Sequence, residues 1–255
     1  SLSSRRGAGK SKKTGVLTPE EMKALFALNW ANPKFKLANL VAATTGLRAG
    51  EIVGLKTSDI GADSIIVRCS WLEGFGEKLP KSGEVRQVPI LPMIRGLLIE
   101  LASLNPHGNG FVFWGQGKDA PLAPQHFSAR LKDMLTEMTL DGKKGAEARN
   151  EALDHWKARN IKFHSWRHFF AARMSDTLPD EKVMRATGHT TRAVYLEYAD
   201  HALDKEMLEI KKVAEATFGK LIGDERSLLS KGSDFASKQA LLGTACPVFS
   251  PPGTG

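Results

Sequence analysis

Apolar residues recur at helical spacing along most of this 255-residue chain, and that period constrains its fold more than any other feature. The exception lies between residues 64 and 90. There Ser64–Trp71 and Glu84–Ile90 have the composition of strands and flank a Gly-rich, charged connection. We therefore expect a mainly α fold with a small antiparallel β-sheet, of the α+β class.

Helices are predicted where the helical period meets start and stop signals. Thr18-Pro19-Glu20-Glu21 is a capping box with proline at the first helical position, and order should begin at Leu17. The stripe expected to be buried behind it comprises Met22, Leu25, Phe26 and Leu28. Residues 37–56 predict two helices separated near Thr45-Gly46. Further helices are expected at Met93–Leu104, Pro124–Leu140, Ala146–Arg159, Ser165–Ser175, Glu181–Thr187, Arg192–Tyr198 and Ala202–Phe218, with a short strand at Phe111–Trp114.

The two ends of the chain differ from its centre. Residues 1–15 are rich in Ser, Gly, Lys and Arg without an apolar period, which indicates a flexible arm or a linker. Residues 16–223 form the expected globular domain. Residues 224–255 have scattered small residues and a Pro/Gly ending, so we expect one marginal helix near Ser227–Leu242 followed by disorder.

The net charge of +8 suggests a polyanionic partner but does not establish one. Five of these charges belong to the arm, which leaves an excess of only +3 for the rest; they are Arg5, Arg6, Lys10, Lys12 and Lys13. No signal sequence or membrane span is evident. The two cysteines, Cys69 and Cys246, form no CxxC pair, so a reducing cytoplasm is expected and a cysteine zinc site is not.

Four separated motifs carry functional residue types. In Thr45–Glu51, Arg48 and Glu51 lie three apart at the start of a helix and so face the same side. The second motif, Lys81–Pro89, has a lysine at a hairpin tip. The third, His164–His168, places His164 and Arg167 one helical turn apart, and the fourth is Gly188-His189 followed nine residues later by Tyr198.

In this order, the motifs resemble those of the tyrosine recombinases (phage integrase family): an arginine, a β-hairpin lysine, HxxR, Gly-His and a final tyrosine. The resemblance spans about Leu17 to Phe218. It implies that residues 16–223 are the catalytic domain of an enzyme that cuts and rejoins DNA through a covalent 3′-phosphotyrosyl intermediate.

The chemistry explains these residue types. Arg48, Arg167 and His189 would stabilise charge on the non-bridging phosphate oxygens. Tyr198 would be the nucleophile, His164 its base and Lys81 the acid that protonates the departing 5′-oxygen. Because the arginines supply the charge that metal ions supply elsewhere, neither a metal nor another cofactor is expected.

Some assignments have alternatives. Glu51 is expected to orient side chains of the site, as the acidic residue at this position is thought to do in the family. His168 is expected to be a buried, hydrogen-bonded neighbour of the site rather than a zinc ligand with His164, since no third ligand is evident. Lys78 is the alternative to Lys81, although the spacing to Arg86 favours Lys81. Tyr195, the only other tyrosine, would exchange with Tyr198 if the helix were one turn out of phase.

The resemblance also implies partners: double-stranded DNA, a tetramer assembled on it, and C-terminal docking onto a neighbouring subunit. The protein would then lie at the nucleoid when bound to DNA. The arm could follow DNA phosphates, and the long charged segment Asp141–Asn160 could contact another subunit. The chain is expected to be a fragment that lacks a preceding DNA-clamping domain. Two rival functions are a type IB topoisomerase and a catalytically silent DNA-binding regulator on the same fold.

Overall fold

The computed structural model describes residues 14–80, 83–187 and 199–222, with residues 180, 199–206 and 220–222 described by their backbone alone. Within these ranges the chain is mainly helical, as the apolar period predicts. The helices are α1 Pro19–Ala27, α2 Pro33–Thr45, α3 Ala49–Val53, α4 Pro92–Ser103, α5 Gln125–Leu140, α6 Ala146–Arg159, α7 Ser165–Ser175, α8 Asp180–Thr187 and α9 Ala199–Ile222. The helices predicted at Arg192–Tyr198 and near Ser227–Leu242 lie outside the described residues.

The capping box at the start of α1 is confirmed. The Glu21 backbone donates to Thr18 Oγ1 at 3.1 Å, and the Thr18 backbone donates to Glu21 Oε2 at 2.8 Å. The predicted stripe is buried except for Leu28, which is only half-buried. Helix α1 ends at Ala27, so Leu28 has already left the helical period and adopts extended backbone.

The strands divide into two antiparallel pairs rather than one continuous sheet. β1 (Ser64–Val67) pairs with β4 (Arg86–Pro89), with Val67 opposite Arg86. β2 (Ser70–Leu72) pairs with β3 (Gly76–Lys78). The second pair is nested within the first along the chain, so residues 79–85 connect β3 of one pair to β4 of the other.

The strand predicted at Phe111–Trp114 is wrong. These residues are buried, but they form only isolated bridges, Lys56 with Phe111 and Trp114 with Pro121. Each end of the segment pairs with a different part of the chain, so no ladder extends along it. The apolar character of this segment therefore reflects its burial and does not indicate a strand.

Helix α2 is the centre of the core. Every residue from Leu37 to Thr45 is buried, as expected of a helix surrounded by other elements. Against it packs α7, whose Trp166 donates from Nε1 to Asn39 Oδ1 at 2.7 Å. Helix α9 covers α7 through Phe218, which stacks on Phe170 at 5.9 Å between ring centroids. Helices α2 and α7 are thus held against each other by packing on several sides.

None of the described helices is both long enough and apolar enough to cross a membrane.

Gly46, which ends α2, should be the glycine whose replacement disturbs this core most clearly. Its φ of +68° is left-handed, and an added Cβ would lie 2.8 Å from Phe170 Cδ1. Gly142 also follows a helix with a φ of +82°, but no atom lies within 4 Å of its Cβ position. Both alanine variants should lose about 1 kcal/mol or more to backbone strain, and Gly46→Ala should lose more through crowding. Equal losses in the free energy of unfolding, measured with urea, would contradict this account.

Candidate active site

The turn between α2 and α3 places Arg48 beside the core. Gly46 ends α2 in left-handed conformation, and Arg48 follows as the N-cap of α3. Helix α3 can lie directly on β2 because residue 50 is glycine, where a Cβ would come within 2.4 Å of Ser70 Oγ. This close packing of α3 on β2 fixes both Arg48 and Glu51 relative to the strands.

The carboxylate of Glu51 is completely buried and accepts four hydrogen bonds. Arg48 donates from its backbone nitrogen to Oε2 and from Nη1 to Oε1, both at 2.9 Å. Arg86 donates from Nη1 to Oε1 at 3.1 Å and from Nη2 to Oε2 at 2.7 Å. The predicted proximity of Arg48 and Glu51 is therefore confirmed, and each carboxylate oxygen receives donors from both arginines.

These bonds determine the charge of Glu51. Burial raises its pKa, but the hydrogen bonds and charge of Arg86, with those of Arg48, outweigh burial and hold the pKa below its ordinary value. Glu51 is thus ionised at neutral pH despite its position in the core.

Arg167 approaches the same cluster from α7. It is 2% exposed, and its Nη1 donates to the carbonyl oxygen of Gly46 at 3.1 Å. Burial, followed by the charge of Arg48, lowers its pKa to about 10, and the charge of Arg86 acts in the same direction while Glu51 opposes it. The guanidinium therefore remains protonated at neutral pH, in a region with more positive than negative charge.

His164 is the N-cap of α7 and is exposed. His168 is exposed as well, so the prediction that it is buried is wrong. The buried face of α7 contains Trp166, Arg167 and Phe170, and a residue four positions after His164 falls on the outer face with it. The two imidazole rings pack edge to face, 5.2 Å apart between centroids. Among the described residues, no group of three or more His, Cys, Asp or Glu is placed to hold a metal ion.

Several sequence-predicted site residues lie outside the described part of the chain. They are Lys81, His189, Tyr195 and Tyr198, together with Arg5, Arg6, Lys10, Lys12 and Lys13 of the arm. The alternative lysine, Lys78, is exposed at the end of β3 with its Nζ 4.2 Å from the centre of the Phe75 ring.

Arg86 is the member of this cluster that the sequence analysis did not assign. Its pairing with Glu51 spans 35 residues, so no local spacing indicates it. One signal was present: Glu51 begins the buried run Glu51-Ile52-Val53, and a carboxylate in an apolar run needs strong charged partners.

Comparisons with known proteins agree with this architecture. The sequence model of the phage integrase family matches residues 15–205. The integrase of transposon Tn1549, solved with transposon right end DNA, is 18% identical with a TM-score of 0.57, covering 80% of this chain and 68% of that one. The integrase of mycobacterium phage Brujita is 17% identical with a TM-score of 0.55 (89% and 66% covered). The XerA recombinase is 20% identical with a TM-score of 0.50 (76% and 64%). No curated protein matches significantly.

Replacing Glu51 by glutamine tests the buried ion cluster through its pH dependence. Because the folded pKa is lowered, ionisation of Glu51 stabilises the fold above the unfolded pKa of about 4.5, and this contribution is lost as the pH falls through the folded value. Near neutral pH, Glu51→Gln should be less stable than the wild type by about 3 kcal/mol, because two arginines lose their buried partner. The difference should narrow below about pH 4.5. Urea unfolding at a series of pH values measures both, and a difference that stays constant in acid would count against the assignment.

Proposed function

Because this chain belongs to the phage integrase family, we propose that it cleaves and rejoins DNA strands as the catalytic part of a site-specific recombinase, through a covalent 3′-phosphotyrosyl intermediate at Tyr198. Residues 16–223 are the catalytic domain in this proposal, residues 1–15 an arm or linker, and residues 224–255 a C-terminal tail.

The observation that carries the proposal is a group of three arginines around one carboxylate: Arg48 and Arg86 bond to Glu51, and Arg167 lies close enough to feel its charge. Arg48, Arg86 and Arg167 against Glu51 leave two positive charges in excess around a partly buried site. Excess buried charge of this kind is costly for a fold unless an anion binds there. A phosphodiester is such an anion: the planar guanidinium of Arg48, which is 22% exposed, matches its oxygens, and the charge of the more deeply buried Arg167 stabilises the negative charge on them.

The reaction follows from phosphoryl-transfer chemistry. The phenol oxygen of Tyr198 forms a bond to phosphorus while the bond from phosphorus to the 5′-oxygen breaks. His164 accepts the phenolic proton, and its exposure on α7 leaves it accessible from solvent. Lys81 gives a proton to the 5′-oxygen, and His189 adds a donor to the non-bridging oxygens. The phosphotyrosine keeps the energy of the broken bond, so a DNA hydroxyl can reverse the step without ATP or a metal ion.

Further parts of the proposal concern assembly on DNA. The arginines and lysines of the arm contact backbone phosphates. Four copies act together on duplex DNA, and the tail after Gly223 docks onto a neighbouring copy. This exchange of strands between copies distinguishes a recombinase from a topoisomerase that acts alone.

Replacing each tyrosine by phenylalanine tests the nucleophile. Tyr198→Phe lacks the attacking oxygen and should form no denaturation-resistant adduct with a nicked DNA duplex, while still binding it. Tyr195→Phe is the matched control and should form the adduct. The assay contains excess EDTA, in which the wild type should remain active. Adduct formation by the Tyr198 variant, or loss of wild-type activity that magnesium restores, would refute the proposed mechanism.

A substrate with sulfur in place of the bridging 5′-oxygen separates the roles of Lys81 and Arg167. A thiol, with a pKa of about 8.5, leaves as the thiolate without an acid. Lys81→Ala should therefore cleave ordinary DNA slowly and recover most of its rate on the sulfur substrate. Arg167→Ala should not recover, because the non-bridging oxygens are unchanged. Single-turnover cleavage rates on both substrates measure this, and a Lys81 variant that stays slow on sulfur would remove Lys81 as the acid.

A further inference from the structure

Arg86 connects the strands to the arginine site. It is the first residue of β4, paired with Val67 of β1, and it directly follows the 79–85 connection. Its guanidinium reaches α3 and donates to both carboxylate oxygens of Glu51, at 3.1 and 2.7 Å. Among the described residues, no other hydrogen bond joins a strand to the Glu51 carboxylate.

The two arginines that hold Glu51 are arranged differently. Arg48 uses one side-chain nitrogen for Glu51, and its side chain is 22% exposed. Arg86 uses both terminal nitrogens, its side chain is 11% exposed, and its Nε is buried with no hydrogen-bond partner among the described residues. Arg48 is therefore placed to reach a ligand in solvent, whereas Arg86 is committed to the carboxylate.

We propose that Arg86 is a positioning residue, which holds the Glu51 carboxylate in the orientation that fixes the Arg48 guanidinium for the DNA phosphate. The inference rests on the function proposed above and adds a residue to its machinery. Arg86 acts through Glu51 and does not itself contact the phosphate.

The charged groups that face Glu51 in the described structure are Arg48 on its own helix, Arg86 on β4 and Arg167 on α7. Burial acts to raise the pKa of Glu51, and the hydrogen bonds and charge of Arg86 are the largest influence that lowers it. Without Arg86, the remaining contacts counter the effect of burial on the pKa of Glu51 less strongly. The pKa of Glu51 should then rise, and a neutral carboxyl would hold Arg48 more weakly.

Arg86→Met tests this, because methionine keeps much of the apolar stem but removes all donors. Single-turnover cleavage should slow about 10- to 100-fold, on the scale seen when a partner that orients a metal-binding side chain is removed. As the pH is lowered from about 8 to about 5.5, the ratio of the variant's rate to the wild-type rate should fall further, because Glu51 becomes protonated in the variant but not in the wild type. Taking the ratio removes any pH dependence of cleavage that the variant and the wild type have in common.

Three further variants make the test specific. Arg86→Lys keeps the charge and should recover part of the rate and flatten the pH dependence of the ratio. In a Glu51→Gln background, Arg86→Met should slow cleavage by less than about threefold, since the carboxylate through which Arg86 acts is no longer present. This double variant also removes both members of the buried pair, which is tolerated better than removing one. Arg68→Met is the matched control, an arginine paired with Asp59 and 56% exposed, and should leave the profile unchanged.

The outcomes separate the inference from the proposed function. A wild-type protein that forms no adduct refutes the function. If the wild type forms the adduct, two results overturn the inference. One is a ratio of Arg86→Met rate to wild-type rate that does not vary with pH. The other is an Arg86→Met variant that slows cleavage as much in the Glu51→Gln background as in the wild type. Recovery of the Arg86→Met rate on the sulfur substrate also overturns the inference, because that result would mean that Arg86 supports proton transfer to the 5′-oxygen. Urea unfolding and DNA binding of each variant verify that the compared proteins are folded.

Discussion

The buried carboxylate of Glu51 is the interaction on which the described site depends. With no exposed side-chain surface, it would be costly to ionise, yet four hydrogen bonds from Arg48 and Arg86 hold it in the charged form. The same bonds orient both guanidinium groups and join α3 to β4. One buried anion thus organises cations that would otherwise repel one another, and it links helical and strand parts of the domain.

The position of this carboxylate is itself a consequence of the core. Helix α2 is buried all around and ends at Gly46, so the following turn cannot move without repacking its neighbours. The carbonyl oxygen of Gly46 accepts from Arg167, and residue 48 caps the next helix. Only one residue, Leu47, therefore separates Gly46, which anchors Arg167, from Arg48, and this makes the spacing of the two arginines a property of the backbone and not of flexible side chains.

The sequence predicts what is local. Helical periods located α6 and α7, and the three-residue spacing brought Arg48 and Glu51 together. It missed Arg86, because a contact across 35 residues depends on how α3 lies against the strands. It predicted that His168 is buried close to the site, whereas His168 is exposed, because its four-residue spacing from His164 indicates a shared helix face but not which face is buried. The strand prediction for Phe111–Trp114 was wrong for a related reason, since a short apolar run indicates burial but not the part of the chain against which it packs.

The choice of arginine at this cluster follows from the burial of its members. A lysine in the position of Arg167 would lose its proton more readily, since its ordinary pKa is about 10.4 and burial lowers it further. Arg167 keeps its charge even with its pKa lowered to about 10. The cluster therefore carries its excess of positive charge before any ligand arrives. In the proposed function, the unfavourable repulsion among Arg48, Arg86 and Arg167 would be relieved by a bound anion, and relieved most as charge accumulates on that anion, which is the condition for favouring a transition state over the ground state.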